Sequence, residues 1–287
     1  MKLSHNLASL NIYKTYTKAT SDQAKAMRNI SSGLKISSAR DNPNLLSQSE
    51  KMKTQIRGLQ MAGKNVQDGA SMLQTADGGL ENMTSMVQRI RELTLQASNG
   101  TSTSQDKAVV QNEINQLIEG YDNIASNTEF NGVKLLKDGN SIANPSVINI
   151  EIQLGANTGE KLNVPKYNLS STSIPVDQAN GDCLKDINVN DTAGALKVID
   201  STLEGINSVR SKFGAIENRL ESTFNNVNEI SDKIENADSN LVDADIAIEM
   251  MDFSKAGILA QAGTAMMAQS NRFPQEILQI LQNVRSR

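Results

Sequence analysis

Two long proline-free tracts, residues 44–144 and 176–273, dominate the chain, and each carries an apolar seam in steps of three, four or seven residues. In the first, Met52, Ile56, Leu59, Val66, Ala70, Leu73, Leu80 and Val87 share the seam. In the second it is Ile199, Leu203, Ile206, Phe213, Leu220, Phe224, Val227, Ile234 and Leu241. A repeat averaging about 3.5 residues is the period at which helices pack along their lengths and supercoil. Gly63, Asp77, Arg210, Glu217, Ser231 and Asp238 interrupt the seam, so a bundle suits it better than a free two-stranded coil. The first long helix starts where Asn42 can cap it and Pro43 takes the first helical position, at which a missing N–H costs nothing. It ends at Ser98-Asn99-Gly100; at a rise of about 1.5 Å per residue that is roughly 80 Å. A shorter helix follows over 105–126.

Between the tracts the pattern changes. Asn131-Gly132 stands between short apolar stretches in EFNGVKLL, a hairpin signal. Ile148, Ile150, Ile152 and Leu154 alternate with polar residues as one face of a strand. Residues 168–182 are rich in Ser, Thr and Asn and read as an exposed loop. The fold class expected is mainly α: a long antiparallel helical rod or coiled-coil bundle with a small β-hairpin region, its N- and C-termini paired as helices.

Composition and charge narrow the function. Aromatics are 3% and Trp is absent, so large rigid core anchors are scarce, and a formal net charge of −4 gives no basic footprint for nucleic acid. His5 is the only histidine, which excludes catalytic triads and paired-His metal sites within one chain. SSGLKISS lacks the lysine pattern of a phosphate loop. Asp243 and Asp245 sit where a helix restarts and read as caps rather than as acid and base. Cys183 is the single cysteine, so no internal disulfide can form. The expectation is a protein that is not an enzyme, without catalytic residues, metal or cofactor, and without membrane insertion. The opening MKLSHNLASLNIYKTY has no apolar core of signal-peptide length, so the expected route is cytoplasmic or an exit that reads no cleavable signal.

Residues 256–271, AGILAQAGTAMMAQSN, carry no charge in a chain that is 21% charged. On a helix, Ala256, Ala260, Thr264 and Ala268 recur at intervals of four as a ladder of small side chains that lets another backbone approach. Ile258, Leu259, Ala262 and Met266 form a neighbouring stripe. Two adjoining faces want cover, and one partner helix cannot supply both. The N-terminal residues Leu3, Leu7, Leu10, Ala24, Met27, Ile30 and Leu34 offer a first partner, and Ile277, Leu278, Ile280 and Leu281 add further aliphatics. Periodicity leaves two readings open: a core helix of the same bundle, or burial between copies of the protein.

The ordered segments resemble bacterial flagellin. NLASLNIYKTYTKATSDQAKAMRNISSGLKISSARDNP is similar to that family's N-terminal segment, and IRGLQMAGKNVQDGASMLQTADGGLENM with QRIRELTLQASNG to its first long helix. NEINQLIEGYDNIASNTEFNGVKLL resembles the second helix and hairpin, IQLGANTGEKLNV the β segment, and VRSKFGAIENRLES, NLVDADIAIEM and ILAQAGTAMMAQSNRFPQEILQILQ the C-terminal half. The resemblance implies a structural subunit that self-polymerises into the extracellular flagellar filament for swimming, exported without a cleavable signal. Its termini order on assembly. It implies a terminal coiled-coil domain of 1–44 with 245–287 forming the filament core, and a rod-like core domain of 45–167 with 191–244. The latter holds a small β region at about 128–167, and 168–190 is a short variable surface loop. Subunit contacts are expected at Leu3, Leu7, Leu10, Met27, Ile30, Leu34, Ile258, Leu259, Ala262, Met266, Ile277, Leu278 and Leu281. Implied partners are further copies, an export chaperone at 245–287, and the filament cap and hook-junction proteins. The flagellin-sensing Toll-like receptor of animals is implied at Arg89, Leu93, Gln96 and Glu113. A hook–filament junction protein and a secreted adhesin are the competing readings; the ending FPQEILQILQ favours flagellin.

Overall fold

A computed structural model describes residues 6–137, 148–174 and 183–285. Its elements follow the order α1 (Leu7–Ser32), α2 (Pro43–Ala97), α3 (Ser104–Asn127), β1 (Glu129–Phe130), β2 (Val133–Lys134), β3 (Asn149–Gln153), β4 (Lys161–Pro165), a 3-10 turn (Leu184–Asp186), α4 (Thr192–Val242) and α5 (Ile246–Arg285). Helix starts are set by side-chain caps. The Asn42 carboxamide oxygen accepts from the backbone of Asn44 and Leu45 ahead of α2. Thr103 and Asp106 form a reciprocal capping box at α3. The chain divides into two compact units, Met1–Thr54 with Lys233–Arg287, and Gln55–Asp232.

In the 55–232 unit, the expected seam is the core. Val66, Leu73, Leu80, Val87, Ile199, Ile206, Phe213 and Leu220 are all buried there. The cross-helix pairs fix the direction of packing: Arg91 with Asp200, Asp77 with Arg210, and Gln74 with Glu217. As numbers rise on α2 they fall on α4, so the two run antiparallel. The interruptions of the seam explain themselves in part, because Asp77 and Arg210 meet as a two-bonded carboxylate–guanidinium pair at 2.8 and 3.2 Å. α3 joins through Ile114, Ile118, Tyr121 and Ala125, buried beside Met83, Val87, Ile90 and Leu93 of α2 in one cluster.

β1 and β2 are joined through Asn131 and Gly132, both with positive φ (49° and 78°), as a two-residue hairpin demands. β3 and β4 pair antiparallel, Ile152 opposite Leu162. This second hairpin rests on small residues of α2. A Cβ added at Gly69 would lie 2.6 Å from Ile152, and one at Gly58 would lie 2.7 Å from Ala156, so both glycines are contact points that no side chain fits.

The flanks of 168–190 differ from the exposed loop expected. Leu169, Ser171, Ile174, Leu184, Ile187 and Val189 are buried. The Asp122 carboxylate accepts from the Ser171 backbone N–H at 2.8 Å and from its hydroxyl at 2.6 Å. The Gln111 side chain clamps the far flank, donating to the Ile187 carbonyl and accepting from the Val189 N–H, each at 2.9 Å. Polar composition masked this, because the apolar residues there are spaced irregularly and the polar ones are satisfied by helix side chains. Residues 175–182 lie outside the described part.

Replacing Leu80 by Ala should cost roughly 2–5 kcal/mol of stability, read from chemical denaturation, because the side chain is fully enclosed. Hydrogen bonds from Thr103 hold the Asp106 carboxyl below its ordinary value. Its contribution to α3 is therefore present above about pH 3.9 and is lost as pH falls through the lowered value. Amide shifts of the first α3 turn, followed by NMR during acid titration, will check this.

Candidate functional site

α1 and α5 pack antiparallel along one seam. Asn6 donates to the Ser270 carbonyl at one end, and at the other Asn29 donates to the Glu249 carboxylate, both at 2.9 Å. Between these ends α1 turns inward Ile12, Tyr16, Ala19, Gln23 and Ala26; α5 turns inward Phe253, Ala256, Ala260, Gly263 and Met267. Both follow alternating three- and four-residue steps, the coiled-coil rhythm. Half of these residues are Ala or Gly, and where they fall the backbones come close: a Cβ added at Gly263 would lie 3.4 Å from the Tyr16 Cβ.

The connecting segments of this unit are bonded to each other. The Lys35 N–H donates to the Val242 carbonyl and the Ala244 N–H to the Gly33 carbonyl, both at 2.8 Å, around a bridge between Leu34 and Asp243. Asp245 caps α5, accepting from the Ala247 and Ile248 backbone. Beside this crossing lies a half-open cleft of about 560 Å³. Its carboxylates, Asp22, Asp41, Glu249 and Asp252, are interspersed with Lys25, Lys35 and Lys255. Hydrogen bonding from Ser38 holds Asp41 below its usual range, with Lys25 adding to the effect. Among the described residues no group of three or more His, Cys, Asp or Glu is placed to hold a metal, and no helix is long and apolar enough to cross a membrane.

The seam differs from the stripe read from sequence. Ala24 and Met27 lie on the solvent side of α1 rather than against α5, and Leu7 and Leu10 are 70% and 48% exposed. Ile30 and Leu34 are half-buried. The four-residue ladder splits: Ala256 and Ala260 enter the seam, whereas Thr264 and Ala268 face solvent. A step of four drifts off a contact line whose true repeat is about 3.5. On α5, Ile258, Leu259 and Met266 are 66%, 46% and 53% exposed, and Ala262 is exposed too. Met250 and Met251 join Ile258 and Leu259 around a shallow apolar depression of about 540 Å³. Leu3 lies outside the described residues, as do the side chains of Ile277, Leu278 and Leu281. Sequence reading missed Ile12, Tyr16, Ala19, Gln23 and Ala26 on α1 and Phe253, Gly263 and Met267 on α5 as seam residues; their alternating steps of three and four were the available signal.

On the other unit, the Arg89 guanidinium reaches Glu92 at 3.1 Å and Glu113 at 3.0 Å on the surface, and Gln96 is exposed nearby on α2. Leu93, implied by the resemblance as a receptor contact, is 2% exposed and turned with Ile90 into the core.

Two family models match in chain order. Residues 3–141 match the bacterial flagellin N-terminal helical region and residues 196–281 the C-terminal helical region. The chain belongs to the flagellin family. Its similarity to a flagellin of Bacillus subtilis is 40% identity, over 98% of this chain and all of that protein. A flagellin of Halalkalibacterium halodurans is 39% identical with the same coverage. The flagellar filament 31.3 kDa core protein of Treponema maltophilum is 36% identical, again over 98% of this chain and its own full length. Flagellins are structural proteins and not enzymes, which agrees with the sequence expectation.

The seam has a direct test. With Cys183→Ser removing the native thiol, the pair Tyr16→Cys and Gly263→Cys has the Cβ spacing of a disulfide. Mild oxidation should yield an intramolecular crosslink, seen as faster migration on a non-reducing gel. The pair Leu10→Cys and Gly263→Cys should not form one.

Proposed function

We propose that this chain is the subunit of an extracellular flagellar filament and polymerises through the outer faces of α1 and α5. One observation carries the reading: both terminal helices meet along one narrow seam and leave Leu7, Leu10, Met27, Ile258, Leu259 and Met266 in solvent. A two-helix pair this thin is marginal in water. A second copy supplies the missing apolar cover, so the termini order as the subunit adds. The patches on α1 and α5 are not the same surface, and contacts between unlike patches that do not close on themselves generate filaments. The names of the relatives support this reading over a hook–filament junction protein or an adhesin.

Four finer parts belong to the same proposal. Leu3, Ile277, Leu278 and Leu281 extend the contact at the two chain ends. Residues 245–287 dock on the export chaperone while the chain leaves the cell without a cleavable signal. The growing filament meets cap and hook-junction proteins at its ends. Any Toll-like receptor contact uses Arg89, Gln96 and Glu113, with Leu93 acting only through the packing beneath them.

Purified chain mixed with short filament seeds should elongate them, followed by light scattering and electron microscopy, and a chain lacking 245–287 should not. Ile258→Asp should slow elongation at least about tenfold, because it places an unpaired carboxylate in the contact. It should leave the melting of the 55–232 unit unchanged. Growth by the truncated chain at the full-length rate rejects the terminal-contact mechanism.

A further inference from the structure

The whole-chain charge of −4 conceals a division. Residues 1–54 with 233–287 contain 14 Lys and Arg against 10 Asp and Glu, whereas 55–232 contain 14 against 22. The excess of cations in the first unit is concentrated on α1. Lys14, Lys18, Lys25 and Arg28 recur at steps of four, seven and three, and all four are exposed. That spacing puts them on adjoining heptad positions, opposite the seam of Ile12, Tyr16, Ala19, Gln23 and Ala26. Asp22 is the single carboxylate on α1.

Lys25 lies beside the cleft and is felt by Asp41. Lys14, Lys18 and Arg28 make no ion pair among the described residues, whereas the 55–232 unit pairs Arg89, Arg91 and Arg210. Of the acids near α1 in its own unit, Glu249 accepts from Asn29, Asp245 caps α5 and Asp243 accepts from Ser239, while Asp252 lines the cleft beside Lys25 and Lys255. Left alone, a Lys14–Lys18 pair one turn apart is mildly repulsive. In the 55–232 unit, by contrast, Asp68, Glu119, Glu204 and Glu221 stand exposed with no ion pair among the described residues.

We propose that Lys14, Lys18 and Arg28 form a docking stripe for the acid-rich 55–232 surface of a second copy, and that this pairing speeds and orients subunit addition. The inference rests on the filament reading and deepens it: apolar faces supply cohesion, and the cationic stripe supplies direction. Steering by complementary charge raises association rates and weakens as salt screens it, over about 10 Å at 0.1 M and about 3 Å at 1 M.

The experiment has two arms. Filaments are grown from mixed 14N- and 15N-labelled chain and treated with a carbodiimide, which couples lysine amines to carboxylates in contact. Mixed-isotope peptides should join Lys14 or Lys18 to carboxylates of 55–232. Crosslinks from these lysines that stay within 1–54 and 233–287, or that never form, overturn the proposal. In the second arm, the Lys14→Gln, Lys18→Gln, Arg28→Gln variant should elongate wild-type seeds about tenfold more slowly at low salt, the gap closing near 1 M NaCl. Lys14→Arg with Lys18→Arg should keep the wild-type rate. Growth of the neutral variant at or above the wild-type rate in low salt overturns the stripe while leaving the filament reading intact. Wild-type chain that fails to elongate seeds overturns the filament reading, and the stripe with it.

Discussion

The contact between α1 and α5 is narrow, and the character of the terminal unit follows from that. Ala19 and Ala26 face a partner whose own contact residues include Ala256, Ala260 and Gly263. Small side chains bring two backbones close, yet they bury little apolar area per turn. Ile12, Tyr16, Phe253 and Met267 add to the seam, but Leu7, Met27, Ile258 and Met266 are directed elsewhere. The seam therefore sets a geometry, two parallel-sided helices at short range, while the free energy that would secure them sits on their outer surfaces. On the reading proposed above, neighbouring copies supply what this seam does not.

The 55–232 unit follows the opposite plan. Its long helices close over Leu73, Leu80, Met83, Ile90 and Ile206, with α3 and the β3–β4 hairpin covering what two helices cannot. Several of its polar groups are matched across elements: Asp77 with Arg210, Asp122 with Ser171, Gln111 with the backbone at Ile187 and Val189.

What could be read from sequence depended on how regular each segment was. The long seams over Met52–Val87 and Ile199–Leu241 and the Asn42-Pro43 start were legible, because period and capping chemistry act locally. So was the Asn131-Gly132 turn, whose positive φ values few other residues accept. The face of α1 that meets α5 was not legible. Ranking by hydrophobicity selects Leu7, Leu10 and Met27, whereas close packing selects Ile12, Tyr16, Ala19 and Gln23. Leu93 shows a related limit: resemblance transfers a position as a receptor contact, but burial depends on the side chains around it, and Leu93 is enclosed. Around 168–190 the apolar residues are too scattered to show a period, and the groups that hold the described flanks, Asp122 and Gln111 on α3 and the Leu136 carbonyl, are distant in sequence.

Those two residues also fix where the chain can grow. Ser171 and Ile174 on one side, and Leu184 and Ile187 on the other, are fastened posts, and whatever joins them begins and ends at set places. Doubling the length of such a span adds only about 0.6 kcal/mol of closure entropy. A foreign epitope or an entire folded module spliced between the posts would hang from the body as cargo, leaving the helices that support it undisturbed.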